Sequence, residues 1–312
     1  MPKNSDKAPL ALEASKLYYY DHLNQSQIAK KMALSRPTVA QLLKFARANG
    51  IVEIKINDPF SNAEELADQL KEKYGLGQVK VAPDGPAENL LDRLGQAGAK
   101  LLEANFKDGD TVGFSWGHTM AAVADHLQRP ARDLKLNFVS LKGSVSNSEE
   151  NNYADQIYQQ INETFKTQFQ LLPLPVIFNN QTTRDLVAQD AFIKRIIQQA
   201  ENADIAVYTV GSAAQNSLLL NTGYFDKEQV ARLEKIIVGD LNSQFINAKG
   251  AIADASLAKR TVALSPAQLK HKRLALLVAG GPHKLPVIKA ALAGHDANAL
   301  VTDAATAQAL LK

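Results

Sequence analysis

Apolar positions recur along this chain in two rhythms, and the change between them falls near residue 60. Before it, Val39, Leu42, Leu43 and Ala46 stand at i, i+3, i+4 and i+7, which commits one face of a helix over residues 35–48 to a core. Ser35 is a good N-cap for that helix. Pro37 falls in its first turn, where a missing N–H costs little, and Gly50 punctuates its end. Residues 10–20 read as an earlier helix, and residues 25–32 as a second, with Ile28, Ala29 and Met32 apolar. Three short helices on tight connections follow.

Beyond this segment the pattern alternates. Short apolar runs at 79–82, 111–115, 136–141, 205–210, 274–278 and 299–301 are separated by helical stretches at 64–74, 88–105, 151–165, 183–200, 227–238 and 285–293. Such alternation predicts an α/β domain, a doubly wound, mostly parallel sheet covered on both faces. Residues 51–56 are rich in strand formers, and Asn57-Asp58-Pro59-Phe60-Ser61-Asn62 is a turn and cap cluster. The expected division is therefore a helical domain over 1–56, a linker over 57–62 and an α/β domain over 63–312.

Composition narrows the function classes. The 312 residues include no cysteine, which removes disulfide scaffolds, thiolate zinc fingers, iron–sulfur clusters and thiol catalysis together. Hydrophobic residues make up 46%, too many for a disordered chain. A polar start without a signal-peptide pattern, and no apolar run near the roughly 18 residues of a membrane span, predict a soluble cytoplasmic protein with no membrane partner. Six scattered histidines, with no HExxH pattern and no GxGxxG fingerprint, give no metal site and no resident cofactor.

The net charge of +3 hides a segregation. Residues 1–60 hold nine Lys and Arg against five Asp and Glu, whereas the remainder holds 26 against 27. Between Asp21 and Glu53 there is no acidic residue, while Lys30, Lys31, Arg36, Lys44 and Arg47 lie in that window. A short acid-free basic module on a near-neutral body is the footprint of a surface that meets phosphates. A solvated helical face is the alternative, as is a three-helix dimerisation module, although neither gives a reason to exclude acids so completely.

On the third helix the polar face centres on Pro37, Gln41 and Lys44, flanked by Thr38 and Arg47, with Arg36 at the N-terminal tip. A helix-turn-helix places the N-terminal residues of its second helix against base edges, where Arg and Gln pair with guanine and adenine. Residues 25–48 fit that motif, with Gln25, Ser26, Ser35, Arg36, Pro37, Thr38, Gln41 and Lys44 toward double-stranded operator DNA.

In a parallel α/β sheet ligands bind at the carboxyl ends of the strands. The run ending at Ser115 leads into Trp116-Gly117-His118-Thr119-Met120, a turn and helix N-terminus suited to phosphate. The next run delivers Lys142-Gly143-Ser144, another ends in Gly211-Ser212, and a further one ends in Ala279-Gly280-Gly281, with Lys284 opening the helix that follows. Taken singly, these glycines are turns and the lysines solvated charges. Together they point to a small anionic ligand.

The ordered set of Gln27-Ile28-Ala29, Ser35-Arg36-Pro37-Thr38-Val39, Asp58-Pro59-Phe60, residues 110–120, Leu141-Lys142-Gly143, Leu172-Pro173-Leu174-Pro175, Thr209-Val210-Gly211, Val238-Gly239-Asp240 and Ala279-Gly280-Gly281 resembles the SorC-type family of bacterial transcriptional regulators over nearly the whole chain. Within that family it is most similar to the deoxyribonucleoside regulator (DeoR) branch. The resemblance implies an effector domain with the fold of sugar-phosphate isomerases, assembled as a homodimer or homotetramer. It implies a repressor of deoxyribonucleoside catabolism genes, released from its operator by a phosphorylated sugar, with deoxyribose 5-phosphate as the effector in this branch.

By position, Gly117, His118, Thr119 and Met120, with Gly280, Gly281 and Lys284, would hold phosphate or neighbouring hydroxyls, and Asp240 would accept hydrogen bonds from the sugar. Gly143 and Gly211 complete the implied site. His118 departs from the small or hydroxyl residue common at its position. The lysine matching Lys142 is implicated in imine formation with the open-chain aldehyde. The chemistry is reasonable, because only a neutral amine attacks a carbonyl and an apolar strand end lowers a lysine pKa. An ion pair to phosphate is the other reading of Lys142. A member of the family sensing another sugar or polyol phosphate, and an isomerase- or aldolase-like enzyme, are the competing functions.

Overall fold

The computed structural model describes residues 4–52, 62–144, 153–213, 219–220 and 224–312. The chain divides into two compact units, Met1–Phe60 and Ser61–Lys312. Of the expected linker over 57–62, only Asn62 falls among the described residues, and residues 53–56 also lie outside them.

The first unit is three helices, α1 (Asn4–Tyr19), α2 (Gln25–Lys31) and α3 (Arg36–Ala48). α1 begins earlier than the apolar pattern indicated and runs through Pro9, forgoing one backbone hydrogen bond there. Asn24 caps α2 in a capping box with Gln27, and Ser35 caps α3 by accepting from the Thr38 N–H. Val39, Leu42, Leu43 and Ala46 are all buried, against Ala11, Ala14, Leu17, Ile28 and Ala29 of the other two helices.

The second unit opens with α4 (Ala63–Tyr74), β1 (Gln78–Ala82), α5 (Leu90–Ala104), β2 (Thr111–Phe114), α6 (His118–His126) and β3 (Asn137–Ser140). It continues with α7 (Ala154–Phe165), α8 (Gln181–Ala188), α9 (Ala191–Glu201), β4 (Ile205–Tyr208), β5 (Val210–Ser212) and α10 (Lys227–Glu234). A hairpin of β6 (Gly239–Leu241) and β7 (Gln244–Ile246) follows, then α11 (Ala255–Arg260) and α12 (Pro266–Leu269). The end is β8 (Leu274–Val278), α13 (Leu285–Ala293), β9 (Ala299–Asp303) and α14 (Ala304–Leu311).

Six strands form a parallel sheet in the order β1-β9-β8-β4-β2-β3. Side chains alternate between its faces. Leu141, Ala206, Tyr208, Ala275, Leu277 and Leu300 pack with α4, α9, α13 and α14, while Val112, Phe114, Phe138, Val207, Leu276 and Val278 pack with α5, α6 and α7. The chain moves outward from β2 to β3 and then back through β4, β8 and β9. The strand order therefore reverses between the neighbours β2 and β4, the place where such sheets open a ligand crevice.

Three expectations need correction. The run 205–210 is two strands: β4 belongs to the large sheet, and after Thr209 the chain enters β5 of a separate antiparallel sheet, β5-β6-β7, so Gly211 lies in a strand rather than a turn. The helix expected over 183–200 breaks into α8 and α9, because the Asp190 side chain accepts from the Phe192 and Ile193 N–H groups and starts a new helix. The helix expected over 227–238 stops at Glu234, and β6 begins at Gly239.

Candidate functional site

In the helical unit, the expected DNA-facing side chains separate by exposure. Ser26, Ser35, Arg36, Pro37, Gln41 and Lys44 are exposed, while Gln25 and Thr38 are half-buried. The Ser35 hydroxyl lies 2.7 Å from Thr38 Oγ1 and accepts the Thr38 N–H at 3.2 Å, so it is engaged as a cap. Among the described residues Arg36, Lys44 and Arg47 make no ion pair. Their charge is carried outward on the face opposite the core.

In the α/β unit, Lys142 follows β3 and bridges to Ala263, while the Gly143 N–H donates to Val262 O at 2.8 Å. A β-carbon at Gly143 would stand 2.6 Å from Leu174 O, so glycine is what lets the chain pass here. The Lys142 side chain is only 4% exposed. Its Nζ donates to Ser243 Oγ at 3.0 Å and sits 3.6 Å above the centre of the Trp116 ring, a cation–π contact. The indole Nε1 donates to Gly143 O at 2.7 Å, which fixes the ring beneath the amine. Burial lowers the Lys142 pKa to about 8, with Asp240 acting in the opposite direction.

Asp240 lies in β6 and is buried; its Oδ1 accepts the Ser243 N–H at 2.8 Å. Burial raises its pKa, opposed by Lys142, by the Ser243 N–H and by Lys284. Lys284 precedes α13, its pKa lowered to about 8 by burial and supported by Asp240. Its Nζ reaches Thr119 Oγ1 at 3.4 Å, linking the β8 loop to the first turn of α6. Thr119, Lys142, Asp240 and Lys284 thus converge at the carboxyl ends of the sheet, beside the point where its order reverses.

The other expected residues fare differently. Gly117 caps α6 with φ of 121°, a conformation that favours glycine, and His118 is exposed with its ring 4.5 Å from that of Tyr153. The Met120 side chain is fully buried in the core, so only its main chain is free to face a ligand. A β-carbon on Gly280 would stand 2.3 Å from Asp303 Oδ2, and the Gly281 N–H donates to Asp303 Oδ2 and to Thr306 Oγ1, both at 2.9 Å. These two glycines secure the loop to the start of α14, and Lys284 is the group the loop sends into the site.

Sequence reasoning did not single out Ser243, nor Trp116 as the platform for Lys142. Asn242 and Ser243 both have positive φ, 49° and 69°, the signature of a type I′ hairpin turn. An Asn-Ser pair between two short apolar segments was the available signal, weakened by the lack of the glycine such turns prefer. Ser115 Oγ, Thr209 Oγ1, Asn242 Oδ1 and Gln244 Oε1 are buried without a hydrogen-bond partner among the described residues.

Residues 58–312 match the Sugar-bind family, a sugar-binding domain. Over 308 residues the chain is 40% identical to the "Deoxyribonucleoside regulator" of Bacillus subtilis (strain 168), covering 98% of each chain. It is 30% identical over 314 residues to the "Sorbitol operon regulator" of Klebsiella pneumoniae, covering 99% of this chain and 100% of that one. The crystal structure of the full-length sorbitol operon regulator SorC from Klebsiella pneumoniae superposes with a TM-score of 0.79 at 29% identity, over 99% of this chain and 100% of that one. The chain belongs to the SorC-type family of transcriptional regulators. Its α/β unit is the sugar-binding domain of that family, and the full-length relatives are named as regulators rather than as enzymes. Among the described residues no group of side chains is arranged to hold a metal ion, and no helix is long and apolar enough to cross a membrane.

Proposed function

We propose that this regulator is a repressor of deoxyribonucleoside catabolism genes that leaves its operator when deoxyribose 5-phosphate forms an imine with Lys142. The observation that carries this reading is Lys142 itself: an amine buried at a strand end, held over Trp116, with its pKa near 8. A substantial fraction is then the neutral nucleophile at physiological pH. Lys284 and Thr119 stand where a phosphate would be received, and the 40% identity to a protein named for deoxyribonucleoside regulation supports the aldose.

In this reading residues 1–56 bind DNA, 57–62 connect, and 63–312 bind the effector and form the dimer or tetramer. α3 enters the major groove, with Arg36 and Gln41 at base edges and Lys44 at phosphate. Two such helices require an operator with paired half-sites. The effector acts by binding more tightly to the arrangement that mismatches those half-sites.

A second reading, a polyol or other sugar phosphate held without a covalent bond, is favoured by the two cations, Lys142 and Lys284, that stand around Asp240. Borohydride reduction followed by mass spectrometry separates the two. Deoxyribose 5-phosphate is expected to leave a reduced adduct on Lys142 and to release operator DNA in a gel shift. Release without any adduct would support the second reading.

A further inference from the structure

We propose that the β6–β7 hairpin carries the proton-transfer equipment for covalent capture of the effector: the Asp240 carboxylate takes the proton that Lys142 must lose and returns it to the departing hydroxyl, while Ser243 positions the amine. This rests on the reading of Lys142 as the imine-forming residue.

The hairpin is built for such a task. Its turn, normally the solvent-facing part of a hairpin, is buried from Leu241 to Ile246. The Asn242 N–H is bonded to Thr209 O and its side-chain amide reaches Leu264 O, so the turn is anchored at the crevice. One residue then fixes both partners: the Ser243 N–H holds Asp240 Oδ1 at 2.8 Å, and the Ser243 hydroxyl receives Lys142 Nζ at 3.0 Å. Gly211 is the cross-strand partner of Asp240, and a β-carbon there would stand 2.0 Å from Asp240 Oδ2. The carboxylate folds across the ladder into the space that only glycine leaves.

Among the described residues, the charged groups around Lys142 are few. Asp240 comes from β6, and Lys284 from the turn before α13, with the exposed His283 beside it. Asp303, beyond the Gly280-Gly281 turn, has both oxygens occupied by Thr306 and Gly281. Among the described residues, Asp240 is the carboxylate left to move a proton.

The step balances. The Lys142 ammonium, which is bonded to Ser243 rather than to Asp240 directly, gives a proton to the Asp240 carboxylate through an intervening water or effector hydroxyl, and the freed lone pair attacks the aldehyde carbon. The C–N bond forms, and the carbonyl oxygen takes a second proton from nitrogen to become a hydroxyl. Asp240 then protonates that hydroxyl, the C–O bond breaks, water leaves, and the nitrogen lone pair closes the C=N bond. Ammonium and aldehyde become protonated imine and water, with one positive charge before and after, the Asp240 carboxylate restored, and no oxidation.

The test is the rate of adduct formation in the full-length protein, with saturating deoxyribose 5-phosphate and borohydride quenching at timed intervals. If Asp240 were only a counter-ion, Asp240→Asn would lower the Lys142 pKa further, leave more neutral amine at pH 7 and speed the reaction. As a proton carrier, its loss slows the reaction by about 100-fold, within the usual range for general acid–base catalysis. The wild-type rate should be level between the pKa values of the pair and fall on both sides, because the pair must hold one proton; in Asp240→Asn it should climb with pH. Gly211→Ala, which displaces the carboxylate without removing a charge, should slow the reaction too, and it carries the test if Asp240→Asn fails to fold. An unchanged or faster rate in these variants overturns the role of the hairpin. Absence of adduct in the wild type overturns the reading of Lys142 beneath it.

Discussion

In the helical unit Arg36, Lys44 and Arg47 stand in solvent, opposite an apolar core of Ala, Leu, Ile and Val, whereas in the α/β unit Lys142 and Asp240 are buried and Lys284 is half-buried among strand ends. The same charge types are thus held in two dielectric settings. Exposed charges cost the fold nothing and act together on a polyanion, so salt weakens them. Buried charges are costly to keep ionised, but desolvation gives them altered pKa values and hence chemistry. A regulator with a sugar-binding domain has use for both: exposed charge suits a long, charged partner, and buried charge suits a small one.

The sharpest way to break that comparison is Lys142→Met, which keeps most of the side-chain volume and removes the amine. The adduct and the release of operator DNA by deoxyribose 5-phosphate should be lost entirely, while operator affinity without effector stays unchanged. Stability should move the other way. Because the folded-state pKa is lowered from 10.5 to about 8, the unfolded chain binds the proton more readily, and below pH 8 this lysine opposes folding. Its replacement should stabilise the α/β unit by about 1–3 kcal/mol at pH 7, the cost of keeping a buried ammonium less the loss of its attraction to Asp240. The gain should fade as pH rises from 8 toward 10.5, where the unfolded lysine is itself neutral. Urea titrations at pH 7 and pH 10 measure it; an equal or lower stability at pH 7 would show that Lys142 is better compensated than its burial implies.

The outward module offers the contrasting pair. Lys44→Ala should weaken binding to all DNA sequences alike and lower the slope of log affinity against log salt by about 1, as for one phosphate contact. Gln41→Ala should leave that slope alone and relax base preference, at about 1–3 kcal/mol for the preferred operator. Gel-shift titrations at several salt concentrations distinguish them. If Gln41→Ala changes the slope and Lys44→Ala changes base preference, the orientation of α3 on the groove is reversed.

The two units were also legible to different degrees. The helical one could be read almost entirely, because its elements declare themselves locally: Ser35, Pro37 and the spacing from Val39 to Ala46 lie within one another's reach along the chain. The six parallel strands were equally visible, since a strand buried on both faces is an unbroken apolar run, as in β8. The small sheet was not. β5, β6 and β7 have three residues each, too few to show alternation, and Asn242-Ser243 lacks the glycine that announces a hairpin. The partnership of Ser243 with Lys142 joins residues 101 apart. Family resemblance could put Lys142 and Asp240 into one site, but only the fold reveals that one turn residue touches both.

Ser35 gives the smallest expected effect and the finest division between fold and contact in the outward module. The sequence places it toward DNA, and the structure engages its hydroxyl as the cap of α3. Ser35→Ala should cost the helical unit about 1 kcal/mol, the usual effect of losing such a cap. Ser35→Asp separates the roles, because a carboxylate caps a helix N-terminus as well as a hydroxyl and is favoured by the helix dipole, yet it repels phosphate. Stability of Ser35→Asp should therefore match the wild type in thermal unfolding while its DNA affinity falls at low salt and partly recovers, relative to wild type, as salt rises. If Ser35→Asp instead binds DNA as tightly as the wild type at low salt, Ser35 stands away from the phosphates and its place in the sequence is explained by the cap alone.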